Sequence, residues 1–404
     1  MEMLYLCGGK DKRMKIVTKI IGLMMVCTSP MTGWAQTYGS DMRLSMRNFV
    51  DTVRIEYDHG LVFVPVTIGG DRMRFLLDTG AGRAVVYDDR LIAGCTEAGT
   101  IVSHDAIGHI DTVKVLELPP ITIGKLTVSG CKATLQHRAV RRQNIDGIIG
   151  FDIVNKGLSM KIDTRDSLLI LTDQRRFFRQ EQGYSARYSL QRNVPFVKVS
   201  PFEGYSERVL FDTGSRQLYS MNKQHFDQAE KACLQQNAAQ IEGRSMGRHA
   251  IGFSGAEPLG EVVFLGMDRL KWGRFEFRDI HTLTTQGGSH IGARILSYGS
   301  LIIEARKKRM LFQPYDTMEW VNISNRQTEK AIIQENGLPV VGLVWERSEA
   351  WQAGLRQGDT ILKADGQPIR SFAEYVAFRP LRGRIYTVTV RDRRGFLKEI
   401  NMRW

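Results

Sequence analysis

The feature that most constrains this 404-residue chain is a short motif that occurs twice. Residues 75–81 read Phe-Leu-Leu-Asp-Thr-Gly-Ala, and residues 209–215 read Val-Leu-Phe-Asp-Thr-Gly-Ser. In each copy an apolar run typical of a buried strand ends in an aspartate on a Thr-Gly turn. Two such strands predict that Asp78 and Asp212 are brought face to face, where burial and mutual repulsion tune both carboxylates.

The segments around the two motifs follow one order, which indicates a duplicated β unit. A strand, turn and strand lead into each aspartate, over residues 61–77 and 194–211. Ten residues after each aspartate stands a residue suited to an N-cap, Asp88 or Asn222. The helix after Asn222 is expected to continue to about Gln236.

Each copy then reaches an apolar pair and a closing hairpin. The apolar pair precedes Gly in residues 148–150 (Ile-Ile-Gly) and Ser in residues 295–297 (Ile-Leu-Ser). Closing hairpins are expected over residues 158–171 and 301–312. The join between the copies falls near residues 175–185, a polar and basic stretch.

These motifs resemble the pepsin and retropepsin class of aspartic proteases over roughly residues 56–316. The resemblance is most specific in residues 78–81 and 146–150 of the first half. It implies a mainly β, bilobal pepsin/retropepsin-like fold of two duplicated β-barrel-like lobes. The second half keeps Asp-Thr-Gly-Ser at 212–215 but places Ser297 where that family prefers glycine.

The resemblance implies that Asp78 and Asp212 form a catalytic pair. Carboxylates about 3 Å apart share one proton, so a water between them can be activated while a peptide carbonyl is protonated. Threonines would interlock the two loops, and glycines would let backbone N–H groups approach. The expected supporting residues are Thr79, Gly80, Ala81, Thr213, Gly214 and Ser215.

The fourth motif position differs between the copies. Ser215 can donate a hydrogen bond to its carboxylate and favour the ionised form, whereas Ala81 cannot. A pH optimum milder than strongly acidic is the resulting hypothesis. A substrate-covering flap is expected around residues 103–108, without the tyrosine of pepsin-like flaps.

The last region resembles the PDZ domains of bacterial exported proteases. Its landmarks are Ala-Gly-Leu at 353–355, Gly-Asp at 358–359 and Asp-Gly at 365–366. PDZ domains bind a C-terminal or extended peptide as an added strand. The loop Gly337, Leu338 and Pro339 is the candidate for carboxylate capture, and a packing module without a ligand is the alternative.

The amino end reads as a secretory signal over residues 1–35, with Met14 as the alternative start. A basic head precedes a short apolar run, residues 20–27, and small residues. The chain is therefore expected to be exported to the periplasm or the extracellular space. No later run is long enough to span a bilayer, so no integral membrane segment is expected after signal removal.

Composition excludes several partner classes. The chain is 43% apolar and 25% charged, as in ordinary soluble proteins. Its net charge of +13 comes from separated clusters without interleaved aromatics, so no nucleic acid is expected. The histidines and cysteines lack metal-ligand spacing, and neither a metal nor a cofactor is expected. A disulfide between Cys95 and Cys131 stays open.

The chain is thus interpreted as an exported aspartic endopeptidase that cleaves peptide or protein substrates, with a PDZ domain for recognition or regulation. A catalytically inactive peptide-binding envelope protein on the same scaffold is the alternative, and a zymogen with residues 38–57 over the cleft is a third possibility. The predicted segments are 1–35 signal, 36–55 N-terminal segment, 56–178 lobe one, 179–316 lobe two, 317–327 linker and 328–404 PDZ domain.

Overall fold

The first lobe is built from short strands that lead to and from the first Asp-Thr-Gly turn. The computed structural model describes residues 41–87, 94–105, 107, 110–137, 144–252, 255–316, 318–378, 380–381 and 383–404. The predicted signal segment, residues 1–35, and the predicted helix start at Asp88 lie outside these residues.

Lobe one contains twelve described strands and one short helix. They are β1 (Arg43–Leu44), β2 (Val50–Arg54), β3 (Glu56–Asp58), β4 (Leu61–Ile68), β5 (Asp71–Leu77), β6 (Ala84–Tyr87), β7 (Thr96–His104), β8 (Ile110–Glu117), β9 (Ile121–Ile123), β10 (Leu126–Ser129), β11 (Lys132–Gln136), β12 (Gly147–Ile149) and α1 (Phe151–Asn155). The sheet order is β1-β10-β9-β4-β5-β12-β6-β11-β8-β7, with β3 on β4. β5, which carries Asp78 at its end, therefore lies at the centre of the sheet.

Two strands close lobe one and the next elements form lobe two. They are β13 (Ser159–Asp163), β14 (Leu168–Thr172), β15 (Tyr184–Gln191), β16 (Val194–Phe202), β17 (Tyr205–Asp212), β18 (Tyr219–Asn222), α2 (Lys223–Asn237), β19 (Ile241–Gly247), β20 (Ile251–Gly252), β21 (Gly255–Ala256), β22 (Gly260–Trp272), β23 (Phe275–Thr285), β24 (His290–Gly292), β25 (Gly299–Glu304), β26 (Arg309–Pro314) and β27 (Trp320–Asn322). The Asn222 side chain accepts hydrogen bonds from Gln224 N and His225 N, so the predicted N-cap is present. Short 3₁₀ helices span Ala238–Gln240, Ala293–Ser297 and Ala305–Lys307.

One continuous sheet joins the two lobes. Its order β15-β26-β25-β13-β14-β2 interleaves strands from both halves of the chain. β2 comes from the predicted N-terminal segment and pairs with β14. β1 and β2 of that segment are thus strands of the fold, whereas the zymogen hypothesis expects residues 38–57 to cover the cleft.

The main apolar core runs through both lobes. Tyr188, Phe211 and Trp272 of lobe two belong to the same buried cluster as Phe75 and Phe151 of lobe one. The thiol of Cys131 is buried and free, so the disulfide with Cys95 that the sequence left open is not formed. Burial raises the pKa of the Cys131 thiol well above its usual value.

The C-terminal domain has a separate core around Val341, Ile361 and Val388. Its elements are β28 (Lys330–Glu335), β29 (Leu338–Val344), α3 (Glu349–Gln352), β30 (Thr360–Ala364), β31 (Gln367–Pro368), α4 (Phe372–Ala377), β32 (Ile385–Arg391) and β33 (Leu397–Arg403). The sheet order is β28-β29-β30-β32-β33, with β31 on β30, so β28 is an edge strand. Ahead of this domain, the predicted linker contains β27, which pairs with β23 of lobe two.

Across the part of the chain that the structure describes, no helix has the length and apolar character needed to cross a membrane.

Candidate active site

The two aspartates stand at the ends of equivalent central strands and face one another. Asp78 follows β5 and Asp212 ends β17, and each residue is 9% exposed. A Cβ atom added at Gly80 would lie 2.6 Å from Asp212 Cγ, and one added at Gly214 would lie 2.4 Å from Asp78 Oδ2. Each carboxylate therefore rests against the glycine of the other motif, a contact that only glycine permits.

The two threonines lock the loops together by a reciprocal set of hydrogen bonds. Thr79 Oγ1 donates to Phe211 O (2.6 Å) and accepts from Thr213 N (3.0 Å). Thr213 Oγ1 donates to Leu77 O (2.7 Å) and accepts from Thr79 N (2.9 Å). Both threonines are fully buried, so these bonds fix the two strand ends relative to each other.

Backbone N–H groups reach the carboxylates from their own turns. Asp78 Oδ1 accepts from Gly80 N (2.9 Å) and Ala81 N (3.1 Å). Asp212 Oδ1 accepts from Gly214 N (2.8 Å). Such donors favour the ionised form of a carboxylate. The arrangement sets two largely buried acids face to face, where they can share one proton.

A short strand lies parallel to each aspartate-bearing strand, and its glycine supports the turn. β12 runs beside β5 and leads into Gly150, and β24 runs beside β17 with Gly292 opposite Asp212. Phe151 N donates to Ala81 O (2.7 Å), and Ala293 N donates to Ser215 O (2.8 Å). Residues 290–292 are therefore the lobe-two counterpart of residues 148–150.

The expected equivalence of residues 295–297 is accordingly wrong. The Ile-Leu-Ser sequence forms the 3₁₀ turn after Gly292, and Ser297 does not lie beside Asp212 in the sheet. Instead, Ser297 Oγ hydrogen bonds to the Tyr57 hydroxyl (2.7 Å). Lobe two thus keeps the glycine whose loss was expected: a Cβ at Gly292 would lie 2.2 Å from Gln217 O.

The hydroxyl of Ser215 bonds to a histidine that the sequence reasoning missed. Ser215 Oγ lies 3.0 Å from His290 Nε2 and accepts from Gln217 N at 3.3 Å. Burial lowers the pKa of the His290 imidazole. Ser215 was expected to bond to Asp212, but its hydroxyl bonds instead to His290 on the neighbouring strand β24.

A buried acid follows the lobe-one glycine. Asp152 lies in α1, is 4% exposed, and its Oδ1 has no hydrogen-bond partner within the described residues. Burial raises the pKa of Asp152 to about 7, against the opposing effect of neighbouring backbone N–H groups and Arg83. The matching position in lobe two is the exposed Arg294.

Two hairpins from the two lobes meet. β7 and β8 pair from Thr96 with Glu117 to His104 with Ile110, so the predicted flap, residues 103–108, begins at the end of β7. Residues 106 and 108 of that prediction lie outside the described residues. β20 and β21 form the second hairpin. A Cβ at Gly252 of the second hairpin would lie 2.4 Å from Asp105 Oδ2 and 2.6 Å from Ile107 Cγ1 of the first. The flap of lobe one is thus in contact with a matching hairpin of lobe two.

The second hairpin is held at its base by a buried carboxylate. Glu257 is fully buried and its Oε1 accepts from His249 N and Ala250 N, each at 2.9 Å. Its Oε2 accepts from Thr285 Oγ1 (2.5 Å) and Gln286 N (2.7 Å). Hydrogen bonds from these groups and the charge of His249 hold the pKa of Glu257 below its usual value despite its burial.

The C-terminal domain packs against this same hairpin. Arg248 N donates to Gly342 O (2.9 Å) at a bulge in β29, and Arg248 Nη2 pairs with Glu335 (2.6 Å). Leu343 is buried with Val262, Phe264 and Leu283 of lobe two. Trp345 stacks on Phe264 with ring centroids 5.7 Å apart. The contact is apolar at its centre, as in the buried core of stable protein–protein interfaces.

The predicted carboxylate-capture loop is a tight turn. Asn336 and Gly337 have φ of 50° and 77°, as in two-residue hairpin loops. Leu338 and Pro339 already belong to β29, paired with Glu335 and Gln334, and Gly337 O accepts from Phe372 N (2.7 Å). Because Pro339 has no amide hydrogen, this turn does not present a row of N–H donors.

Sequence comparison matches one segment of lobe one and one segment of the C-terminal domain to known families. Residues 64–153 match the aspartyl protease family model, and residues 340–378 match a PDZ domain. The chain contains an aspartyl protease domain and a PDZ domain. The aspartyl protease match includes Asp78 and Gly150 but ends before lobe two, where the repeated geometry continues it. Among curated proteins, none matches this chain in sequence.

Two solved structures are similar to this chain at low sequence identity. Basic 7S globulin from soybean has 10% identity and a TM-score of 0.39, covering 65% of this chain and 94% of that one. The aspartic proteinase from Irpex lacteus has 12% identity and a TM-score of 0.43, covering 66% of this chain and 97% of that one. The structure as a whole is mainly β, with a bilobal aspartic protease fold followed by a PDZ domain.

Proposed function

We propose that this protein is an aspartic endopeptidase. The observation that carries the proposal is the reciprocal bonding of Thr79 and Thr213, which holds Asp78 and Asp212 face to face. A water between the two carboxylates gives its proton to the ionised one while the neutral one protonates the peptide carbonyl. Hydrolysis of a peptide bond then needs no covalent intermediate, and the two acids exchange roles as a pair.

The test is cleavage of a peptide library by the purified protein, with and without a statine-type transition-state analogue. Asp78→Asn and Asp212→Asn are each expected to lower kcat/KM by at least a thousandfold, since either removes half of the acid–base pair. Asp71→Asn, at the exposed far end of β5, is the matched control and keeps activity. Cleavage that survives both active-site changes would refute the proposal.

The alternative of an inactive peptide-binding protein loses the observation that favoured it. Its motive was a serine in place of the lobe-two glycine, and Gly292 occupies that position. A wild-type protein that binds library peptides but cleaves none, with Asp78→Asn binding them equally, would restore this alternative.

For the PDZ domain we propose a role in regulating access to the cleft. Its support is the contact of Gly342, Leu343 and Glu335 with the base of the second hairpin, which in turn touches the flap. Leu343→Ala should loosen the hairpin, raise hydrogen exchange over residues 248–252 and 255–257, and lower kcat/KM. Leu397→Ala, on the exposed face of the same domain, should do neither.

We also propose that the PDZ domain binds a C-terminal or extended peptide by strand addition, as PDZ domains do. We also propose that the mature chain is exported after removal of residues 1–35. N-terminal sequencing of the secreted or periplasmic protein tests this, and a mature chain that keeps Met14 would contradict it.

A further inference from the structure

The two position-four residues of the Asp-Thr-Gly motifs have different neighbours on the adjacent short strand. In lobe one, Ala81 packs near Ile148 in an apolar cluster. In lobe two, Ser215 bonds to His290. Ile148 and His290 occupy the same register, opposite the residue two before each aspartate, Leu76 and Leu210. Lobe two thus has a polar pair at the positions where lobe one has an apolar pair.

The direction of the Ser215–His290 bond follows from the second bond of the imidazole. His290 Nδ1 lies 3.1 Å from Gly288 O, and a carbonyl oxygen only accepts, so Nδ1 carries the hydrogen. In a neutral imidazole Nε2 then has a lone pair and no hydrogen. The Ser215 hydroxyl must donate to His290 Nε2 (3.0 Å).

Among the described residues, the hydrogen-bond partner of His290 Nε2 is the Ser215 hydroxyl. The ionisable residues on the neighbouring strands and turn are Tyr205, Glu207, Arg208, Asp212, Arg216 and Tyr219. Glu207 is bonded to the Tyr219 hydroxyl and to His225 and Ser289, each of these last two at 2.7 Å. Arg208 and Arg216 are directed to solvent. Burial lowers the pKa of His290, so the neutral imidazole persists to a lower pH than in an exposed histidine.

We propose that His290 is a positioning residue that takes the hydrogen of the Ser215 hydroxyl and so directs it away from Asp212. This inference rests on the proposed proteolytic function of the Asp78–Asp212 pair. A hydroxyl that donates to a carboxylate stabilises its ionised form and lowers its pKa. By diverting that donor, His290 raises the pH at which the pair takes up its second proton, and it makes the pair better suited to a mildly acidic medium.

The experiment compares the acidic limb of the kcat/KM–pH profile in four proteins. His290→Leu, which copies the apolar lobe-one pair, frees the Ser215 hydroxyl and should move the limb down by about one pH unit. Ser215→Ala should leave the position of the limb within about 0.3 units, whatever it does to the height of the profile. The double variant should show no downward shift, and His290→Gln, whose amide oxygen can accept from Ser215, should restore the wild-type limb.

The same four proteins are also titrated by ¹³C NMR of labelled aspartate carboxyls, which does not require activity. The carboxyl titrations should shift in the same order as the kinetic limbs. If the wild type cleaves nothing, the proposed function fails while the NMR shifts still test the hydrogen-bond arrangement. The inference is overturned if Ser215→Ala moves the limb or the titration upward, or if His290→Leu and the double variant shift alike. Should His290→Leu not fold, Ser215→Ala and His290→Gln alone decide the matter.

Discussion

The two lobes share the parts that hold the carboxylates and differ in the parts that surround them. The threonine bonds, the glycine contacts and the short parallel strand occur once in each lobe. Around that frame, lobe one has Ala81, Ile148 and the buried Asp152, whereas lobe two has Ser215, His290 and the exposed Arg294. The duplicated backbone thus fixes where the acids stand, and unequal surroundings can set their acidity.

The second difference lies outside the frame. Lobe two carries the longer helix α2 and the hairpin β20–β21 that the PDZ domain contacts. Lobe one presents its flap to that hairpin through Asp105 and Ile107. These contacts with the PDZ domain therefore support lobe two. A change in the PDZ domain is expected to act on the cleft through lobe two.

The largest effect tests whether the frame is truly shared. Gly292→Ala places a Cβ 2.2 Å from Gln217 O and 2.5 Å from Ser215 O, and Gly150→Ala places one 2.4 Å from the Arg83 carbonyl carbon. Both contacts are with backbone atoms, which cannot move aside locally. A urea titration should therefore show that each variant is so destabilised that most of the protein is already unfolded without urea. Ser297→Gly should fold normally. A folded Gly292→Ala with an unfolded Ser297→Gly would return the role to residues 295–297.

This case also shows what the sequence could supply. The dyad, its threonines and the Asn222 cap lie within single short segments, so local patterns located them. The choice between residues 290–292 and 295–297 depends on which segment pairs with β17, a non-local event. An apolar pair before a small residue favoured the wrong one. His290 could have been noticed only by requiring a glycine directly opposite Asp212, as Gly150 stands to Asp78.

The contact between the PDZ domain and lobe two could not be predicted from local sequence patterns, because it too is non-local. Gly342 meets Arg248 across 94 positions of sequence, at a β-bulge that no residue pattern marks. Gly337–Pro339 carried a plausible loop pattern, yet the Asn336-Gly337 pair selects a two-residue hairpin turn. Here the turn residues Asn336 and Gly337, and not the resemblance to a carboxylate-capture loop, determine the backbone conformation.

The next prediction concerns Asp152, whose counterpart Arg294 is exposed. Its folded pKa of about 7 lies above the ordinary value of 3.8, so the folded state holds the proton more tightly than the unfolded state. The stabilisation is complete below about pH 4 and is lost as the pH rises through 7, by roughly 4 kcal/mol in all. Urea unfolding at pH 5 and pH 8 should show about 3 kcal/mol of this loss in the wild type and not in Asp152→Asn. Equal losses in both proteins would contradict the assignment.

The threonine bonds predict equal effects in the two lobes. Thr79→Val leaves Phe211 O and Thr213 N without their bonds, and Thr213→Val does the same to Leu77 O and Thr79 N. Each unsatisfied buried group costs about 1 to 3 kcal/mol and each variant leaves two, so each should lose about 2 to 6 kcal/mol of unfolding free energy together with activity. The serine variants, which keep the hydroxyl, serve as controls. A large effect in one lobe alone would mean that the frame is not symmetric.

The smallest predicted effect concerns Ser297, the serine that was expected to stand in place of a glycine in lobe two. Tyr57→Phe removes the hydroxyl that bonds to Ser297 at 2.7 Å near the surface, and only one weak second contact, to Ala293 O at 3.4 Å, goes with it. A single bond of this kind contributes about 0.5 to 1.5 kcal/mol. Thermal unfolding of Tyr57→Phe and Ser297→Ala should therefore show similar, small losses, and the double variant should lose no more than either one, because both remove one bond. Additive losses would show that Ser297 has a second role, and would reopen its place in the comparison of the lobes.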